Sequence, residues 1–143
     1  MLLKEIASRF SNLSKSRSLT YFLANPALNG EIARTEQLLG VSFPEQVNNF
    51  YRHFNGLRVD VPYLEIFPLE RLSYATPERL HFATLDGSQH LYFDVSHINE
   101  AEQWDIVAAD GFCLTLTMAS FWSNRMWSWI EKQRAIWKEE APA

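Results

Sequence analysis

EIARTEQLLGVSFPEQVNNFYRHFNG, residues Glu31 to Gly56, decides the fold class, because it encodes two helices with a hard stop after each. Ile32 and Leu39 lie on one face of the first helix, and Gly40 stands where a left-handed residue ends one. Pro44 then suits a first helical position, whose N–H has no partner in any case, and Glu45 favours the positive end of the helix dipole. Val47, Phe50, Tyr51 and Phe54 form the apolar stripe of this second helix, and Asn55-Gly56 ends it. Two helices joined this tightly pack on each other or on a common sheet.

Toward the N-terminus, Leu2, Ile6, Phe10 and Leu13 share a helical face and predict a first amphipathic helix. The Ser-rich SNLSKSRS after it reads as a frayed helix end or a linker, and LTYFLANPALNG carries Asn-Pro and Asn-Gly turn signals. Beyond Gly56 the apolar period changes toward two. YLEIFPLERL predicts a short strand stopped at Phe67-Pro68, and RLHFATLDGSQHLYFDVS predicts a hairpin around Asp86-Gly87-Ser88-Gln89. With Leu85 opposite His90, Phe82 faces Phe93 and Thr84 faces Leu91 on one side, while His81 faces Asp94 and Ala83 faces Tyr92 on the other. WDIVAADGFCLTLT predicts a second hairpin turning at Asp110-Gly111, with Val107, Phe112, Leu114 and Leu116 on one face and Trp104, Ile106, Cys113 and Thr115 on the other. From Ser120 the period returns to that of a helix, expected to run to Lys138. This order predicts an α+β fold: an antiparallel meander sheet with N-terminal helices and one long C-terminal helix packed on one side. A single domain is expected over residues 1–143, with 1–28 as a helical extension and 29–138 as the core.

At 143 residues, 47% hydrophobic and 14% aromatic, the chain can bury a proper core. Its net charge of −4 argues against a general affinity for nucleic-acid phosphates and favours a basic partner. Cys113 stands alone, which excludes an internal disulfide and a cysteine zinc cluster and fits a reducing compartment, so a cytoplasmic location is expected. MLLKEIASRF does not read as a signal peptide, and no stretch approaches the roughly 20 apolar residues of a membrane span.

The four histidines, His53, His81, His90 and His97, show no metal-binding spacing, and neither a phosphate-binding glycine loop nor a GxSxG elbow is present. A non-catalytic protein without cofactor or metal is therefore expected. The exception to weigh is His81 opposite Asp94, since a carboxylate raises an imidazole's pKa as a general base requires, and Ser88 or Ser96 would be the nucleophile. A solvated hairpin face with a cross-strand charge pair accounts for the same residues more simply. That polar face, centred on Tyr92 and carrying His81, Asp86, His90 and Asp94, is the candidate partner surface. Asp105, between Trp104 and Ile106, needs a donor, and so caps a loop or sits at a pocket mouth. In the closing helix Trp122, Met126, Trp129, Ile130, Ile136 and Trp137 gather into a core stripe, and Trp127 lies off it. Trp127 is either a second core layer beneath the N-terminal helix or a binding hot spot, and joins the candidate contacts. Glu131 and Glu139 offset Lys132 and Arg134, unlike the basic face of a membrane-surface helix.

The stretch from Glu31 to Gly56 resembles the helical signature of the SUKH superfamily, the Smi/Knr-type domains: Leu39-Gly40 closes one helix, Phe43-Pro44 opens the next in place of the usual Leu-Pro, and Asn55-Gly56 ends it. FPLERL, Phe67 to Leu72, is similar to the family's strand exit, and Met118 to Phe121 resembles its Ala-Ser-Ser-Phe helix start. The likeness covers roughly residues 30 to 137. It implies an α+β domain that binds another protein; in bacteria the family is similar to immunity proteins that silence polymorphic toxins, often nucleases, and in yeasts to a regulator of cell-wall synthesis. It implies no shared catalytic motif and transfers no contact residue. The expectation is an immunity protein, monomeric or weakly homodimeric, that occludes a toxin, with Asp86, Asp94, Glu100 and Glu102 matching a basic nuclease surface. A regulatory or scaffold domain for an endogenous protein or peptide is the alternative, and a small hydrolase using His81 and Asp94 is the third.

Overall fold

The structure is a computed structural model that describes residues 3–138. Leu2 of the first helical stripe and Glu139 of the closing helix's charged face lie outside the described residues. Helix α1 (Leu3–Arg17) continues through the Ser-rich segment, with Glu5 in its first turn and Lys15 and Arg17 in its last, as the helix dipole favours. Ser18, with φ 58°, then stops it. Strand β1 (Tyr21–Leu23) follows, which the turn signals around it had hidden. Helix α2 (Asn29–Leu39) ends at Gly40 in the left-handed region, and α3 (Glu45–His53) buries Val47, Phe50 and Tyr51, all as expected from the sequence.

Strands β2 (Leu57–Val59) and β3 (Leu64–Ile66) lead into a single 3₁₀ turn (Leu69–Arg71), then β4 (Ser73–Thr76), β5 (Arg79–Leu85), β6 (Gln89–Asp94), β7 (Asp105–Ala108) and β8 (Cys113–Thr115). They form one antiparallel eight-stranded sheet in the order β1-β2-β3-β5-β6-β7-β8, with β4 beside β5 as well. Central β5 therefore pairs with β3 at its end and with β4 at its start. Between the two the chain leaves the sheet at Phe67-Pro68, where Gly56 makes room: a Cβ there would sit 2.8 Å from the Ile66 carbonyl oxygen and 2.8 Å from the Pro68 nitrogen.

The closing helix departs from the expected single run to Lys138. It comprises α4 (Met118–Ser120), a π segment (Phe121–Met126) and α5 (Trp127–Lys132), and Gln133 at φ 53° ends it. The following non-helical segment still buries Ile136 and lays Trp137 against Trp129, at 5.3 Å between rings. The π segment also corrects the placement of Trp127. Its wider turn brings residues five apart onto one side, so Trp127 falls beside Trp122, 5.5 Å between rings, and is 3% exposed. Phe10 of α1 packs against both tryptophans. Trp127 is thus a core residue beneath the N-terminal helix and drops out of the candidate contacts. Ile6, Phe10 and Leu13 belong to the same apolar cluster as the sheet, so the N-terminal segment is built into the core rather than appended to it.

Candidate functional site

One face of the sheet is core: Leu57, Leu64, Ile66, Leu80, Phe82, Leu91 and Phe93 are buried there, and Phe82 meets Phe121 of the closing helix. Alternation along each strand sends the intervening side chains to the other face. The register aligns Phe22, Arg58, Glu65, Thr84 and His90 in one row across β1, β2, β3, β5 and β6. A second row sets His81 beside Tyr92, and a third sets Arg79, Asp94 and Asp105 side by side.

This register corrects the sequence-based pairing. The hairpin loop is one residue shorter, pairing Leu85 with Gln89, and β5 bulges between His81 and Ala83. Asp86 (φ 55°) and Gly87 (φ 71°) turn the chain in the left-handed region, and the Asp86 amide donates to the Tyr63 carbonyl at 3.0 Å. His81 consequently faces Tyr92 instead of Asp94, and the imidazole–carboxylate pair required by the hydrolase reading is not formed. Phe82 does stack on Phe93, at 3.9 Å between rings, although the backbone partner of Phe93 is Leu80. In the second hairpin a similar shift pairs Val107 with Cys113 and Ile106 with Thr115, so Val107 does not share a face with Leu114.

At the centre of the open face His81 lies between the rings of Phe67 (4.8 Å), His90 (4.9 Å) and Tyr92 (5.2 Å). Its Nε2 is 3.1 Å from the Ala83 carbonyl oxygen and 3.1 Å from Nδ1 of His90. A carbonyl can only accept, so the bond to Ala83 is made by the His81 tautomer that carries its proton on Nε2. Burial, reinforced by the neighbouring His90 and Arg71 and opposed by the Ala83 hydrogen bond, holds His81 below its ordinary pKa. It is a neutral ring at physiological pH. Arg71 lies 4.3 Å over the Phe67 ring and donates to Glu65 at 2.7 Å, and the Tyr63 hydroxyl donates to the same carboxylate at 3.2 Å. Burial and then Glu65 push the Tyr63 phenol above its ordinary pKa.

The acidic end of the face is organised by loops. Asp94 accepts from the amide (3.0 Å) and hydroxyl (2.6 Å) of Ser96. Asp105 accepts from Asn99 at 2.8 Å and faces His97 Nε2 at 3.5 Å, so it finds its donor by holding the loop that precedes β7. Ser96, His97 and Asp105 stand in a row, with 3.3 Å between the Ser96 hydroxyl and His97 Nδ1. The Ser96 hydroxyl donates to Asp94, at a shorter distance than that to His97. Among the described residues no group of three or more His, Cys, Asp or Glu side chains is gathered to hold a metal ion. No described helix is long and apolar enough to cross a membrane.

The face thus brings together His81, His90, Tyr92 and Asp94, places Asp86 at the tip of the same hairpin, and excludes Trp127. A cavity at its corner was not legible from residue pattern or spacing. An open cavity of about 420 Å³ lies there, lined by Phe22, Arg58 and Glu65 of the sheet, by Glu70 and Arg71 of the 3₁₀ turn, and by Pro26 and Glu31. The model of the SMI1 / KNR4 family (SUKH-1) matches residues 26–123, from the loop before α2 into the π segment. A comparison with curated proteins found none that matches. With the family model spanning most of the chain, this chain belongs to the SMI1 / KNR4 (SUKH-1) family.

Proposed function

We propose that this chain is a non-catalytic protein-binding domain of the immunity type, which binds and silences a cognate toxin through the open face of its sheet. The observation that carries the proposal is that face: three rows of polar and aromatic side chains, joined to a corner cavity, in a domain of this family. Tyr92 and His81 supply a rigid aromatic centre of the kind that anchors interfaces. Asp94 and Asp105, adjacent by register, supply negative charge that suits the basic surface of a nuclease and speeds encounter. Occlusion of the toxin's substrate groove needs no chemistry from this chain, and the proposal includes cytoplasmic action as a monomer or weak homodimer.

Co-expression tests it. Cells carrying the toxin encoded beside this gene should grow when the chain is present, and the purified pair should co-elute. The Tyr92→Ala, Asp94→Lys double variant should fold and lose both effects. Binding and rescue that survive the double variant would displace the contact from this face, and failure to bind the neighbouring toxin at all would sink the immunity reading.

A further inference from the structure

A second surface lies between α2 and the 3₁₀ turn. The corner cavity meets another of about 390 Å³ there, and Glu31 and Glu70 line both. Each is within the range of volumes that hold ligands or inserted side chains. Leu38, Leu39, Leu69 and Leu72 wall the second cavity, and Leu38 is 76% exposed at its rim. An isolated exposed leucine is ordinary, but one beside a leucine-walled cavity extends an apolar patch that a partner would cover.

The charges select the partner. In the corner cavity the arginines already have anions: Arg58 pairs with Asp60 at 3.2 Å and Arg71 with Glu65 at 2.7 Å. Among the described residues no cation lies within ion-pair distance of Glu31 or Glu70, and the Glu31 carboxylate accepts from the Leu28 amide at 3.0 Å. Arg34, one helical turn from Glu31, is the cation lining the second cavity, one positive charge to two carboxylates. The junction therefore keeps excess negative charge beside an apolar wall. A cation on an aliphatic stem matches both parts, and lysine and arginine side chains have that form. Strand β4 flanks the groove, tied to the end of α2 by the Tyr74 hydroxyl donating to the Leu39 carbonyl at 2.6 Å. It pairs with β5 alone and all its residues are exposed, so its outer edge can bond to an extended chain.

We propose that the groove between α2 and Leu69–Arg71 docks an extended, basic segment of a partner protein, with a lysine or arginine at Glu31 and Glu70 and a neighbouring apolar side chain against Leu38, Leu39 and Leu72. The groove adjoins the corner cavity of the sheet face through Glu31 and Glu70, but its occupant does not depend on the toxin reading, because Leu38, Leu39 and Leu72 line only the second cavity. A positional-scanning array of short acetylated, amidated peptides, probed with the intact chain and with its Glu70→Lys and Leu38→Asp variants, tests it. Both positions are exposed, and thermal melts verify that the variants fold. The intact chain should select Lys or Arg next to Leu, Ile or Phe, and the best peptide should bind each variant at least about tenfold more weakly. No preferred peptide, an acidic preference, or a selection unchanged in either variant would overturn the proposal.

Discussion

Trp127 shows how far one side chain's environment depends on the turn that carries it. Its ring packs on Phe10 at 5.1 Å and on Trp122, and the Arg9 guanidinium lies 4.4 Å over it, while Arg9 also pairs with Glu131 of the same closing helix. Trp127→Ala should therefore cost about 3–5 kcal/mol in urea unfolding, the range for truncating a buried large aromatic, and leave partner affinity per folded molecule unchanged. A small loss of stability with a large loss of binding would return Trp127 to the interface. His81 makes a pH prediction. Its folded pKa lies below the ordinary 6.5, so the fold favours the neutral ring. The stability this contributes is complete above the unfolded value and is lost as the pH falls through the lowered folded value. Urea unfolding of the native chain and of His81→Asn should show a stability difference that shifts against the native chain between about pH 7.5 and 5.5. A difference independent of pH would contradict the assignment.

Among the elements, the stops at Gly40 and Asp110-Gly111 were legible, whereas the registers were not, and the Asn29-Gly30 turn signal lies inside α2. Gly40 and Asp110-Gly111 act through backbone conformations that few residues adopt, so residue type alone marks the place. Register depends on where a strand bulges, and nothing in the letters of RLHFATL marks the shift between His81 and Ala83. The π segment is hidden for the same reason: a projection at regular helical spacing moves Trp127 off the stripe that the wider turn restores. Strand β1 is three residues long, too short for a period to show. The corner cavity is built from segments far apart in sequence, so only the tertiary structure reveals it. Two glycines separate conformational strain from crowding. Gly40→Ala, at φ 71° with nothing within 4 Å of the added carbon, should cost about 1 kcal/mol, whereas Gly56→Ala combines φ 93° with backbone contacts at 2.8 Å and should cost clearly more than about 2 kcal/mol. Equal costs by denaturant titration would show that the strand exit yields to the new carbon.

At the scale of the whole molecule, the family match from residue 26 to 123 leaves out α1, β1 and α5. These are the elements that close the aromatic end of the core, since Phe10 stacks on Tyr21 and packs on both Trp122 and Trp127. Removing residues 1–17 should uncover that cluster and abolish cooperative thermal unfolding, as seen by calorimetry. A truncated chain that melts as sharply and as high as the intact one would reduce α1 to an ornament. The same arrangement separates what stabilises the chain from what it offers to partners, because the side chains of the open face contribute little to the aromatic cluster.

That separation has an optical consequence. Trp104, Trp122, Trp127 and Trp129 are all buried on the core side, and the aromatic side chain at the centre of the open face is Tyr92. Intrinsic tryptophan emission is thus a built-in gauge of folding, blue-shifted in the native state and red-shifting as α1 undocks. A partner without tryptophan that settles on the sheet should leave the emission maximum where it was, so binding there has to be followed by a label on the hairpin or by the partner's own signal.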